Sequence, residues 1–440
     1  MNHKIFDYTV TSGIMIFFGA ISFGQNSLTV DGAINEGLHG SPEIQRARAA
    51  KSEMEWKHFE ALGAGFLPKI SANGHHYLSE QYTFTTINFS GSFLSFPGFY
   101  PTDSAAFDVT IPVFDGLANI RNLQAASLVE GASTAELSHA EFQLREEIRL
   151  AFFKSLAANE LQSVADQNVR TLQDHLKQVE AQKHGGVATN YDVLRVQVQL
   201  NEARADLIDS QDNYETARRK LSQLLGLESD ERPLYGLLPI PTADKVKGLK
   251  WEDAPKERFD IRALILKAQA AEAARKAQAV WFIPSIYVAG EYMWYNAQIF
   301  NNTVQSTGNY LNAYNVGLFL KWNIFDGGVA LAQEKEASYH AIQTEKVAQS
   351  ARLQIPYDFE YWKRRYLSNT DHYISKKFDI TRSEESVRIA KEEERAGTRT
   401  SSETLDAELD LFRAKAGVVN ALVNAAEAKI RLELALGREI

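Results

Sequence analysis

Two glycine-centred segments hold the side chains best placed to do chemistry. One runs His184-Gly185-Gly186-Val187-Ala188-Thr189-Asn190-Tyr191-Asp192; the other runs Gly397-Thr398-Arg399-Thr400-Ser401 and continues through Glu403 to Asp406. A cation flanked by carboxylates at this spacing offers charge pairing, not bond making, because no nucleophile or paired base accompanies it. Thr398, Thr400 and Ser401 also start helices, so a plain reading stands beside any functional one: Arg399 and Glu403 cap and solubilise a turn. The acidic run Glu392-Glu393-Glu394 reads as a solvated face or a docking surface. No GxSxG, HExxH or phosphate-cradling glycine loop is present, so no enzyme is expected. His75-His76 is not a metal pair, since neighbours on a strand point to opposite faces, and no metal or cofactor is expected.

Behind these segments stands a chain of 440 residues, 45% apolar and 23% charged, with material for a large core. Lys4 followed by an apolar stretch, Ile14 to Phe23, with small residues at Ser22 and Gly24, reads as a secretory signal peptide over residues 1–24. No later stretch reaches the roughly 20 apolar residues of a membrane helix, so an exported chain of this kind either floats free or spans a membrane by strands. The absence of cysteine excludes disulfides, thiolate metal sites and cysteine nucleophiles. A net charge of −9 argues against a nucleic-acid surface.

An internal repeat organises the chain. Phe114-Asp115-Gly116 recurs as Phe325-Asp326-Gly327, Gly186 as Gly397, and Gly226 as Gly437, each pair offset by 211 (327 − 116 = 397 − 186 = 437 − 226). A constant offset over that length is what two long helical units with aligned ends require. Upstream, Pro68 pairs with Pro284 at an offset of 216 (284 − 68), so length varies only between the prolines and the FDG motifs.

Each half reads in the same order. A helix (Val30 to Leu62; Trp251 to Trp281) ends before its proline. A β-hairpin follows, about 69–113 and about 285–325, with Phe107, Val109, Ile111 and Val113 alternating with polar residues, and with loops expected at Thr83 to Thr102 and Gln298 to Asn312. Tyr77, Tyr82, Phe84, Tyr287, Tyr292, Trp294 and Trp322 fit an interfacial aromatic girdle.

Then comes a long helical hairpin, 117–225 with its tip near 185–190, and 328–436 with its tip near 396–401. Leu137, Leu144, Ala151, Ala158, Ala165, Leu172 and Val179 repeat every seven residues, a coiled-coil seam about 100 Å long. Leu411, Ala414, Val418, Ala421, Ala425, Ala428, Leu432 and Ala435 keep the seam in the second copy. Phe152-Phe153 and Tyr361-Trp362 are packing residues. Pro356 falls inside the second long helix, where a kink or boundary is expected. The division is thus 25–226 for the first repeat, 227–250 for a proline-rich linker, and 251–440 for the second.

Four strands of about 11 residues suit a bilayer as tilted strands, yet four cannot close around a lumen. In lipid the open edges must meet strands of other subunits. Two copies make a barrel filled by its own side chains; three are the smallest count with an open pore.

The duplication, IPVFDG and WNIFDGG after the hairpins, and the two tips HGGVATNYDVLRVQ and RAGTRTSSETLDA resemble the TolC-like outer-membrane efflux and secretion channels over nearly the whole mature chain. The resemblance implies a mixed α and β membrane protein: a homotrimer sharing a 12-stranded barrel in outer-membrane lipid, continued by a long periplasmic α-helical barrel. It implies an exit duct for a tripartite efflux pump or type I secretion system, working with a periplasmic adaptor protein and an inner-membrane pump or ABC transporter. By the same resemblance Arg399 is a gate-locking cation, Asp192 matches a lock partner, and Glu403 and Asp406 form acidic rings. The tips, at Gly186, Val187, Ala188 and Thr189 and at Gly397, Thr398, Arg399 and Thr400, contact the adaptor. Two departures, Glu394 at a lock tyrosine's place and Glu403 at an aspartate's, imply a changed lock. A periplasmic coiled-coil scaffold that does not conduct is the alternative, and the two hairpins of spanning length discriminate against it.

Overall fold

A computed structural model describes residues 27–78, 82–89, 91–99, 103–254, 258–296 and 310–440. The expected signal peptide and most of the second hairpin's loop lie outside them.

The single helix expected from Val30 to Leu62 is two. They are α1 (Val30–Gly40) and α2 (Pro42–Phe66), parted at Ser41 because Pro42 cannot donate to extend α1 but fits the first turn of a new helix. Strands β1 (Lys69–His76) and β4 (Asp103–Phe114) pair antiparallel. Between them, where a loop was expected, β2 (Tyr82–Phe89) and β3 (Ser92–Phe99) form a separate two-stranded hairpin. Its turn is closed by Gly91 at φ +87°, whose N–H donates to Asn88 Oδ1 at 3.1 Å. The Thr, Ser and Asn content that reads as loop is compatible with strands once the alternation of YTFTTINF is given weight.

Strands β5 (Ser285–Asn296) and β6 (Tyr310–Lys321) complete an open antiparallel sheet in the order β1-β4-β5-β6. Pro112, inside β4, sits at a register shift, one of the few places a central strand accepts proline. The register sorts the sheet into two chemically distinct faces. Ile70, Val109, Gly290 and Val316 lie on one row, and Phe107, Tyr292 and Tyr314 on another row of the same face. On the opposite face Ser71, Asp108, Glu291 and Asn315 share a row. There Asp108 accepts from Asn73 at 2.5 Å, and Glu291 from Asn315 at 3.0 Å.

Most of the rest is helical: α3 (Ala118–His184), α4 (Asn190–Leu225), the short α5 (Asp244–Lys247), α6 (Phe259–Gln278), α7 (Val329–Arg395) and α8 (Ser401–Leu436). The stretch expected as one helix from Trp251 to Trp281 is a 3-10 turn at Trp251–Asp253 followed by α6. Helices α3 and α7 are 67 residues each, and α4 and α8 36 each. Both pairs start 211 apart (329 − 118 = 401 − 190). At about 1.5 Å per residue the long helices extend about 100 Å.

The helix α7 runs on through Pro356. Ile355 and Phe359 beside it are fully buried with Ile261, Leu432 and Leu436, and that packing outweighs one lost helical hydrogen bond. A matching core of Ile44, Leu144, Ile148, Phe152 and Leu221 binds the first repeat. The linker is tied to both halves. Leu28 exchanges backbone hydrogen bonds with Pro233 and Tyr235 at 2.9 Å each, and Val246 is buried in the second core.

The FDG motifs are the couplings between sheet and helices. Asp115 Oδ2 accepts from the Asn119 amide at 2.6 Å, and Asp326 accepts from Gly328 at 3.1 Å and Ala330 at 2.9 Å. Each aspartate thereby satisfies first-turn N–H groups of a helix that has no side-chain cap of its own.

Candidate functional site

Both hairpin tips are built alike. Gly186 at φ +77° and Gly397 at φ +75° take a left-handed conformation that a side chain would strain. The amides that follow reach back to close the helix ends: Val187 to the Gln182 carbonyl at 2.9 Å, and Thr398 to the Glu393 carbonyl at 3.0 Å. The return helices start on capping boxes. The Thr189 amide donates to Asp192 Oδ2 at 2.8 Å, and the Thr400 amide to Glu403 Oε2 at 3.0 Å. Asp192 and Glu403 are equivalent positions of the repeat (403 − 192 = 211). Their cap threonines, through side chain and backbone, hold both carboxyls below the usual carboxylate range.

Within one chain Arg399 lies 3.4 Å from Glu393, and Asp192 is engaged in its own cap. Asp406 is gripped by Arg195, whose Nη2 lies 2.9 Å from Oδ1 and 3.3 Å from Oδ2. Gln182 Nε2 donates to Glu394 at 3.2 Å. The two hairpins are therefore stitched together by Arg195–Asp406 and Gln182–Glu394, contacts that sequence reasoning missed. A signal existed for the first: Arg195 and Asp406 are repeat equivalents of opposite charge (406 − 195 = 211). Exposed Tyr191, Leu194 and Val198 follow helical spacing on α4, with exposed Val187 in the turn before it.

At the other end of the hairpins, Glu146 and Glu433 are fully buried around Arg149. Arg149 Nη1 donates to Glu146 Oε2 at 2.7 Å and to Glu433 Oε2 at 2.8 Å. Burial, with the Glu433 charge, pushes Glu146 up to about 7 although Arg149 opposes the shift. No group of three or more His, Asp or Glu that could hold a metal ion occurs among the described residues, and none of their helices is long and apolar enough to cross a membrane.

The model of the family described as outer membrane efflux protein matches residues 33–227 and 251–438. The chain belongs to the outer membrane efflux protein family. The two matched stretches fall on the two repeats and leave out the linker. No curated protein sequence matches the chain. Among solved structures it is similar to CusC, with 17% identity, a TM-score of 0.77, and 93% of this chain and 92% of that one covered. It is similar to VceC of Vibrio cholerae, with 18% identity, a TM-score of 0.76, and 93% and 96% covered. It is also similar to the open state of MtrE of Neisseria gonorrhoeae, with 19% identity, a TM-score of 0.70, and 93% and 89% covered. The chain thus has the fold of these channels, a β-sheet domain joined to long helical hairpins, and it is an outer-membrane efflux channel by family.

Proposed function

We propose that three copies of this chain form a passive exit duct that receives cargo from an inner-membrane pump or ABC transporter through a periplasmic adaptor. The observation that carries this reading is the two-faced open sheet. Its apolar face suits lipid, its polar row of Asp108, Glu291 and Asn315 suits a water-filled lumen, and its outer strands β1 and β6 leave backbone edges that lipid cannot satisfy. Three sheets of four strands close twelve around an open pore. The long helices, joined to the sheet by the FDG turns, extend the tube into the periplasm. A scaffold that does not conduct has no use for such a sheet.

The tips are the gate and the adaptor's contact. Arg399 locks neighbouring hairpins, with Asp192 as a partner once its cap is released. Glu403 and Asp406, brought threefold around one axis, attract cations and repel anions. Gly186, Val187, Ala188 and Thr189, with Gly397, Thr398 and Thr400, present the docking surface. Photocrosslinking residues placed at Val187 and Thr398 in living cells test this: both should capture one periplasmic protein that copurifies with an inner-membrane transporter. Capture of neither, from a correctly assembled trimer, would remove the adaptor from the account.

A further inference from the structure

A buried polar cluster beneath the tips is not used by the lock just described. His175, on α3, is 3% exposed, and Glu408, on α8, is 6% exposed. The imidazole Nε2 lies 2.9 Å from Ser401 Oγ, and Nδ1 lies 3.6 Å from Glu408 Oε2. Lys391, on α7, holds the other carboxylate oxygen at 2.8 Å. Glu408 Oε2 itself is buried with no hydrogen-bond partner. Ser401 and Glu408 are seven residues apart (408 − 401), two turns on one face of α8. One histidine of the first hairpin thus touches the first turn of the return helix that carries Glu403 and Asp406.

Among the described residues the ion pairs at this ring are with Glu408, from α8, and, through that carboxylate, with Lys391, from α7. The helix α4 brings Val193, Val196 and Leu200 to the surrounding core. On α3 itself, Asp174 and Lys177 pair with each other at the surface, 2.8 Å apart. A neutral imidazole can meet both neighbours, donating from Nδ1 towards Glu408 and accepting the Ser401 hydroxyl at Nε2, but only the protonated ring sets a full positive charge opposite the unsatisfied carboxylate oxygen and makes that contact charge-assisted. Histidine is the side chain whose charge ordinarily changes between pH 5 and 8.

We propose that His175 is a proton-operated clamp between the two hairpins: protonated, it pairs with Glu408 and holds the tip shut, and neutral, it leaves Glu408 to Lys391 and frees the first turn of α8. The clamp regulates the gate proposed above and rests on that reading.

Two readouts on the full-length trimer separate the ideas: planar-bilayer conductance at pH 5.5 and 7.5, and hydrogen exchange of the peptide spanning 401–408, corrected for intrinsic rates. Wild-type conductance should be roughly tenfold lower at pH 5.5, the size of one charge-assisted hydrogen bond, with slower exchange at 401–408. His175→Gln and Glu408→Gln should abolish both differences, while Ser401→Ala, which keeps the ion pair, should retain them. A pH response of wild-type size in His175→Gln, or none in wild type by either readout, would overturn the clamp. If no variant conducts at any pH but exchange at 401–408 still depends on pH through His175, the clamp stands and the duct fails.

Discussion

Replacing Glu146 by Gln should make the protein less sensitive to a rise in pH from acidic to neutral. A carboxyl whose pKa is raised by folding contributes stability fully below its ordinary value near 4.5, and loses that contribution as the pH climbs through the folded value. Here burial beside Glu433 pushes Glu146 up to about 7, so the loss runs from 4.5 to about 7. The full difference is about 3 kcal/mol per chain, of which about 2 kcal/mol falls between pH 5.5 and 8. With an unfolding entropy of roughly 2.1 cal/mol/K per residue, a chain of 440 residues converts this to a Tm lower by about 2 °C at pH 8 than at pH 5.5. The amide of Gln fits the same space and can still accept from Arg149, which keeps its bond to Glu433. Thermal melts of the purified trimer, followed at 222 nm, should show the wild-type drop and its loss in Glu146→Gln. A variant that keeps the full drop would refute the assignment of that pH dependence to Glu146.

Arg149→Met should be far harsher, costing about 3–5 kcal/mol, because it leaves Glu146 buried without its cation and Glu433 with Lys429 at 3.6 Å in place of two cations; lowered trimer yield and Tm measure it. Asp108→Asn together with Glu291→Gln should bring the cation-over-anion permeability ratio of the reconstituted pore toward one, read from reversal potentials in a salt gradient, with conductance retained. Arg195→Ala removes a half-exposed pair with Asp406, worth at most about 1 kcal/mol, so open probability should rise by up to roughly fivefold while the melting temperature stays put.

The constant 211-residue offset made the helical hairpins legible in the sequence, because no insertion can enter a long helix without moving its end. The period-two alternation of Phe107, Val109 and Ile111 likewise gave a strand and its apolar face. What escaped notice depended on packing or on partners distant in the chain. Pro356 costs one hydrogen bond, which local reasoning counts, while the burial of Ile355 and Phe359 that outweighs it is tertiary. The β2–β3 hairpin hid behind Thr, Ser and Asn, residues that strands and loops share. At the tips the capping boxes of Asp192 and Glu403 were readable as helix starts. The contacts of Asp406 with Arg195, and of His175 with Glu408, join residues more than two hundred positions apart, and only the repeat arithmetic pointed at the first.

In the proposed assembly three copies enclose a conducting tube closed at its helix tips. Single-channel recording of the purified trimer in a planar bilayer tests it most directly, in wild type and after Arg399→Ala and Glu403→Ala. Wild type should show a small, cation-selective conductance that grows severalfold in the variants. A correctly folded, membrane-inserted trimer with no conductance in any of the three would contradict it.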